Sequence, residues 1–283
     1  VKIINNPQQM QQTMLQLKKN GKKIAFVPTM GFLHEGHASL LREARARGDV
    51  LVLSIFVNPT QFGPNEDLDC YPRNLAGDYA IAESCGTDYV FAPSARDIYP
   101  ENFQTSIRLA ELPLPLCGAS RPGHFDGVAV VVCKLFNIVQ PDLAFFGKKD
   151  FQQLAIIRQM VTDLNMPVEI IGMPIVREKD GLALSSRNSY LSPDERKQAL
   201  CLYRAIIAVR KLFASGETAT DLLLIAAHKE LAATSEAVVD YLELRNSSTL
   251  QPVEKADHET LLALAVKIGK TRLIDNCVLG EEI

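Results

Sequence analysis

The run DVLVLSIFVN, Asp49 to Asn58, carries Val, Leu, Ile and Phe at odd and even positions alike. A strand that is apolar on both faces must be covered on both, and the usual solution is a parallel sheet between two layers of helices. The neighbouring segments have the matching rhythm. KKIAFVPT is a short apolar run passing through Pro28, HASLLREARARG has helical spacing and stops at Gly48, RNLAGDYAIAESCG reads as helix, and TDYVFAP reads as strand. FDGVAVVVCKLFNIVQ is ambiguous by pattern, but its length favours a buried helix over the strand its valines would suit. PDLAFFG, DFQQLAIIRQMVTDLN and PVEIIGMPIV then continue as strand, helix, strand. Together these segments predict an α/β unit over residues 1–175, a doubly wound parallel sheet. Ligands of such sheets collect beyond the carboxyl ends of the strands, and the candidate motifs all fall there.

The rhythm changes near residue 176. REKDGLALSSRNSYL is a polar loop, and SPDERKQALCLYRAIIAVRKLFASG opens as a helix with Ser192 as N-cap, Pro193 at the first helical position and Glu195 closing the capping box. TATDLLLIAAHKELAAT predicts a second helix. VVDYLELRN, TLLALAVKIG and TRLIDNCVL predict strands, with GKT as a tight turn between the last two. Helices followed by consecutive strands indicate a second, smaller α+β C-terminal domain, residues 176–283.

With 30 basic against 33 acidic residues, the net charge is −3 and no long block of like charge appears. That argues against a nucleic-acid or membrane-surface partner. No apolar run reaches the roughly 18 residues of a membrane span. The start VKIINNPQQM does not resemble a signal peptide, and its first valine suggests a trimmed terminus. The six cysteines form no CxxC pair and no zinc-finger spacing, which predicts free, mostly buried thiols and a cytoplasmic protein.

FVPTMGFLHEGHASLL sets His34 and His37 where a strand passes into a helix. Read alone, the pair is open to three interpretations. Zinc ligation needs a third ligand, and the familiar zinc helix spaces its histidines by four rather than three. Two ordinary surface histidines are the second. The third is an anion site, because Gly31 and Gly36 would let backbone approach a ligand and a helix N-terminus offers free N–H groups.

The strand followed by H-x-G-H is similar to the signature of the superfamily of class I aminoacyl-tRNA synthetases and nucleotidylyltransferases, and LALSSRN, Leu182 to Asn188, stands where that superfamily has its basic KMSKS-like loop. SIFVNPTQF, RPGHFDGV and FFGKKDFQQL narrow the likeness. With VPTMGFLHEGH and DGLALSSRN they occur in the order found in the pantothenate synthetase family, the pantoate–β-alanine ligases, and the resemblance spans nearly the whole chain.

The resemblance implies a Rossmann-like sheet and an ATP-dependent, two-step condensation. Pantoate's carboxylate attacks the α-phosphorus of Mg²⁺-bound ATP to give pantoyl adenylate and pyrophosphate, and β-alanine's amine then displaces AMP. Such chemistry asks for positioning and charge neutralisation more than covalent help. Carried over by position, the nucleotide site comprises Met30, Gly31, Phe32, Leu33, His34, Glu35, Gly36 and His37, then Gly147, Lys148, Lys149 and Asp150, then Val176, Leu184, Ser185, Ser186 and Arg187. His37 matches the proton donor, with His34, Lys149, Ser185, Ser186 and Arg187 at the phosphates. Gln61 and Gln153 match the pantoate contacts, Gln61 also facing β-alanine, with Asn58 and His124 beside them. No Mg²⁺ ligand can be assigned, and the family implies a homodimer through the larger domain.

Several of these residues have plainer readings. Asp150 and Gln153 form a D-x-x-Q helix-capping pattern, Asn58-Pro59 reads as a strand-ending turn, His124 as a loop or core histidine, and Lys148-Lys149 as a solvated pair. Lys148 replaces an acidic residue common in the family, and LRNSSTLQP lacks another. Rival functions share HxGH: another nucleotidylyltransferase, which gives no reason for the two glutamines, or a nucleotide-binding module without turnover, which gives none for His37, Lys149 and the Ser-Ser-Arg run. A tRNA synthetase would need a basic domain this chain lacks.

Overall fold

The computed structural model describes residues 1–64 and 66–282. The chain divides into two compact units, one of Val1–Ala110, Arg121–Lys148 and Gln153–Met173, the other of Glu111–Ser120, Lys149–Gln152 and Pro174–Ile283.

In the first unit the order is β1 (Lys2–Ile4), α1 (Pro7–Lys19), β2 (Ile24–Thr29), α2 (Glu35–Arg47), β3 (Val50–Ile55), α3 (Leu75–Ser84), β4 (Tyr89–Phe91) and the single turn α4 (Ala95–Ile98). Past the short α5 (Cys117–Ser120), which belongs to the second unit, it resumes with α6 (His124–Val139), β5 (Leu143–Gly147), α7 (Phe151–Asp163) and β6 (Glu169–Met173). The strands form one sheet in the order β1-β4-β3-β2-β5-β6, every pair parallel. Successive side chains of β2 serve opposite layers. Ala25 and Val27 join a core with Ala38, Leu41 and Ala44 of α2, while the Phe26 ring meets Phe136 of α6 edge to face at 6.4 Å. This is the doubly wound, Rossmann-like sheet expected from strands apolar on both faces. The stretch left ambiguous by pattern is the buried helix α6, its valines packed inside.

Strand order reverses at β2, which lies between β3 and β5. The crevice such a reversal opens at the carboxyl ends therefore receives the loops after β2 and β5. Those loops begin at Met30 and Lys148.

The second unit continues with α8 (Pro193–Gln198), α9 (Leu200–Ala214), α10 (Thr220–Ala232) and the antiparallel sheet β7 (Ala237–Asn246), β8 (Thr260–Ile268), β9 (Thr271–Val278). Leu202, Ile206 and Val209 of α9 and Leu223, Ala227 and Leu231 of α10 share a core with Leu262, Leu264 and Val266 of β8. The capping box of Ser192 and Glu195 is present. The helix it starts is nevertheless two helices meeting at Ala199. The Leu202 N–H bonds the Ala199 carbonyl only three residues back, which tightens that turn. Ile268 pairs with Thr271, so Gly269 and Lys270 alone make the predicted turn.

All six cysteines are free thiols; Cys85, Cys117, Cys201 and Cys277 are buried. Among the described residues no helix is long and apolar enough to cross a membrane.

Candidate active site

At the end of β2 the backbone turns through two left-handed residues, Gly31 at φ 82° and Phe32 at φ 52°. A Cβ on Gly31 would stand 2.9 Å from Ile55 Cγ2 and 3.0 Å from Asp78 Oδ2, so glycine is required there both for conformation and for space. Phe32 has no such licence, and the left-handed region costs a non-glycine residue about 1–2 kcal/mol. The carboxylate of Asp78, on α3, offsets that cost. Its Oδ2 accepts the Phe32 N–H at 3.0 Å and its Oδ1 the Leu33 N–H at 2.7 Å. Hydrogen bonds to a charged group contribute about 1.5–3 kcal/mol each, and they are set against both this strain and the cost of burying the carboxylate. Asp78 is only 2% exposed. Burial pushes its carboxyl above the ordinary range, and the two N–H groups pull it back only in part.

The chain then enters α2 through the histidines. His34 is the N-cap, and its Nδ1 accepts the Gly36 N–H at 3.1 Å, while His37 Nδ1 accepts the His34 N–H at 3.2 Å. The rings lie 4.1 Å apart, tilted by 40°. A backbone N–H needs a lone pair to bond to, so Nδ1 is unprotonated in both rings and the proton of each neutral imidazole is on Nε2. The cap thus fixes the tautomer that makes Nε2 a donor. Glu35, the first residue of α2, is exposed and pairs with Arg42. Among the described residues no group of three His, Cys, Asp or Glu side chains is placed to hold a metal ion.

After β3 a single 3-10 turn, Pro59–Gln61, is capped by Asn58. Asn58 is 1% exposed and Gln61 9%. The Asn58 Nδ2 donates to the Gly127 carbonyl of α6 and to Gln61 Oε1, each at 3.1 Å. Because a carbonyl only accepts, this settles which end of each amide is which. Gln61 has its Oε1 engaged and its Nε2 as the remaining donor, 3.3 Å from Met30 Sδ. The structure therefore brings Met30, Asn58 and Gln61 together. Tyr99 reinforces the arrangement by donating its hydroxyl proton to Asn58 Oδ1 at 2.8 Å.

His124, at the start of α6, holds Gln61 by the backbone. Arg121 Nη1 lies 3.0 Å from His124 Nε2, and His124 Nδ1 lies 2.7 Å from the Gln61 carbonyl oxygen. A guanidinium only donates, so Nε2 accepts and Nδ1–H donates to Gln61. Arg121 itself grips both carboxylate oxygens of Glu66 at 2.6 Å. Burial pushes the Glu66 carboxyl up, but the hydrogen bonds and charge of Arg121 prevail and hold it below its ordinary value. Gly147 ends β5, with Lys148 next, and a side chain at 147 would enter open space. Gln153 is half-buried on the first turn of α7.

Within the second unit β9 is the common anchor. Its Asn276 Nδ2 donates to the Lys149 carbonyl at 2.8 Å, and Lys149 Nζ lies 3.9 Å from Asp150 Oδ2. Val176 and Leu184 are joined by the Leu184 N–H to the Val176 carbonyl at 3.0 Å, and Arg177 bridges Ala183. Arg177 fixes this hairpin to β9 through two bonds to the nearly inaccessible Asp275, at 2.7 and 2.9 Å. The hairpin leads into Ser185, whose hydroxyl accepts the Arg187 N–H at 3.2 Å and caps a 3-10 turn, Ser186–Tyr190, packed on β9. What reads as plain polar loop thus carries ordered, capped structure.

Residues 2–278 match the family model described as Pantoate-beta-alanine ligase. The chain belongs to the pantoate–β-alanine ligase family. It is 72% identical over 281 residues, 99% of each chain, to the pantothenate synthetase of Trichlorobacter lovleyi, and 60% identical over the full length of both chains to that of Geobacter sulfurreducens. Among solved structures, the pantothenate synthetase of Thermus thermophilus superposes with a TM-score of 0.95 at 42% identity, covering 99% of this chain and 100% of that one. The pantoate–β-alanine ligase of Francisella tularensis, complexed with β-γ ATP and β-alanine, gives 0.81 at 35% identity, covering 100% and 99%. The family resemblance read from the five motifs, the enzyme class and the two-part fold are borne out.

Sequence reading missed residues that this pantoate–β-alanine ligase family member uses to hold its turns. Asp78, Tyr99 and Arg121 with Glu66 are the clearest. One signal was present: Asp78, Ala82 and Cys85 share one helical face at spacings of four and three, so an acid stood among residues with reason to be buried.

Proposed function

We propose that this enzyme condenses pantoate with β-alanine through a pantoyl-adenylate intermediate, releasing AMP and pyrophosphate. The observation that carries the reading is the reciprocal imidazole cap, which sets the Nε2–H tautomer in two rings 4.1 Å apart at a helix N-terminus on the topological switch of the sheet. Donors held there are suited to the charge that grows on the bridging and terminal oxygens as pyrophosphate leaves. His37 donates its Nε2–H as a hydrogen bond to that leaving group and keeps the proton, since a neutral ring that lost it would become an imidazolate, and His34 stabilises the neighbouring oxygens. Met30 to His37 with Gly147, Lys148, Lys149 and Asp150, and Val176 with Leu184 to Arg187, form the nucleotide site. Lys149, Ser185, Ser186 and Arg187 neutralise the triphosphate. Mg²⁺ enters as part of the Mg–ATP substrate.

Gln61 and Gln153 hold pantoate. With its Oε1 committed to Asn58, Gln61 offers Nε2–H to the acid's oxygens, and His124 keeps the Gln61 backbone in place. The larger domain, expected from the sequence over residues 1–175, acts as the nucleotide- and pantoate-binding domain, and the smaller, expected over 176–283 and joined by Glu111–Ser120 and Lys149–Gln152, acts as a lid, in a cytoplasmic homodimer.

Incubated with Mg²⁺, ATP, β-alanine and pantoate labelled with ¹⁸O in its carboxylate, the enzyme is expected to release AMP carrying one labelled oxygen. ADP and phosphate as products, or unlabelled AMP, would exclude an acyl adenylate. Gln61→Ala is expected to raise the KM for pantoate about tenfold, the worth of one hydrogen bond to a charged group, and to leave the KM for ATP unchanged. Equal rises in both constants would show a general loss of structure instead.

A further inference from the structure

The turn after β2 has an anion already built into it. Two successive backbone N–H groups pointing the same way make a concavity that receives negative charge. At Phe32 and Leu33 both groups converge on the Asp78 carboxylate, one on each oxygen. These two amides are therefore committed within the protein, and a nucleotide phosphate cannot use them. The same loop commits the N–H of His34 to His37 Nδ1 and that of Gly36 to His34 Nδ1. What the turn offers a ligand is chiefly its side chains, so its value lies in where it places the two imidazoles.

We infer that Asp78 is a positioning residue for adenylate formation: by bonding Phe32 and Leu33 it locks the left-handed turn that sets His34 and His37 at the head of α2. It acts through the backbone and touches neither substrate. An amide in its place would be cheaper to bury, yet it would not serve. Each oxygen meets an N–H, and an asparagine of the same shape has one oxygen and one NH₂, so one backbone donor would face another donor. Gly31 belongs to the same device, since a Cβ there would press on Asp78 Oδ2.

This inference rests on the reading that the turn holds ATP, and the test separates the two. In Asp78→Asn, pantoate-dependent exchange of pyrophosphate into ATP is expected to fall about tenfold, the loss of one charge-assisted hydrogen bond. Aminolysis of separately prepared pantoyl adenylate by β-alanine is expected to keep its rate, because that step needs no pyrophosphate-facing donor. A merely structural role would slow both half-reactions together. Asp78→Asn with undiminished exchange, beside a slow His37→Asn, overturns the positioning role alone. Undiminished exchange in both variants removes the nucleotide reading of the turn as well. Should Asp78→Asn fail to fold, amide hydrogen exchange on the unaltered enzyme decides. Slow exchange at Phe32 and Leu33 is expected, and exchange as fast as in an open loop overturns the inference.

Discussion

His37→Ala is expected to slow adenylate formation by about 10²–10³, the usual loss when one preorganised donor to a developing oxyanion is removed. The measurement is single-turnover release of pyrophosphate with enzyme in excess. A complication has to be designed out, because His37 also accepts the His34 N–H and so caps α2. Losing a cap costs about 1 kcal/mol of stability by itself. Two near-isosteres divide the roles. Asparagine can place its Oδ1 where Nδ1 was, keeping the cap and losing the donor. Glutamine can place its amide N–H near Nε2, keeping a donor and losing the cap. If the donor matters, His37→Asn is as slow as His37→Ala but melts like the unaltered enzyme, while His37→Gln recovers part of the rate with a lowered melting point. Near-normal single-turnover adenylation in His37→Asn would falsify a direct role for this ring.

The second large effect is expected at a residue with no functional group at all. A Cβ built on Gly127 falls 2.4 Å from the Thr60 carbonyl oxygen, 2.7 Å from its carbon and 2.9 Å from the Gln61 nitrogen. Every one of these atoms is backbone, so no flexible side chain can swing aside. Helix α6 and the Pro59–Gln61 turn are also clamped by the Asn58 bond to the Gly127 carbonyl. Gly127→Ala must therefore part the helix from the turn and strain or break that bond. The cost belongs at the top of the overpacking range, about 3 kcal/mol. For a protein of this size the midpoint of thermal unfolding should drop by about 6–12 °C. Because the displaced turn carries Gln61, the KM for pantoate rises while the KM for ATP does not. An alanine variant with unchanged melting point and pantoate KM would show that the turn yields freely.

The parts of the molecule legible in the sequence are those whose signal is local. β2, β3 and β5 announced a covered parallel sheet because they are apolar on both faces, and α6 was distinguishable from a strand by length alone. The strand-to-helix passage through His34 and His37 was readable because glycine and N-cap positions follow backbone rules a few residues long. Helix α1 was not, since PQQMQQTMLQLKK buries only Met10 and Met14 and its polar remainder masks the period. Strand β1 has three residues and rests on pairing with β4, far along the chain. In the site, Asp78 lies 46 residues from Phe32, and Glu66 55 from Arg121. Contacts at such separation leave no trace in spacing. The same holds for Glu111–Ser120, whose Ser120 bonds Asp240 across 120 positions.

That last segment bears on how the enzyme can come into being. The second body borrows two stretches from the midst of the first, and Gln152 ties them to each other. Its Oε1 accepts the Cys117 N–H at 3.0 Å, and its Nε2 donates to the Leu112 and Pro115 carbonyls at 2.9 and 2.7 Å. On the ribosome, neither body is finished when the other begins. The earlier one awaits residues up to Met173, and the pieces it surrenders stay without their β-sheet neighbours until the final strand emerges. A gene cut between codons 173 and 174 would yield two incomplete halves, so swapping or separately evolving the pieces requires moving three parts of the chain at once.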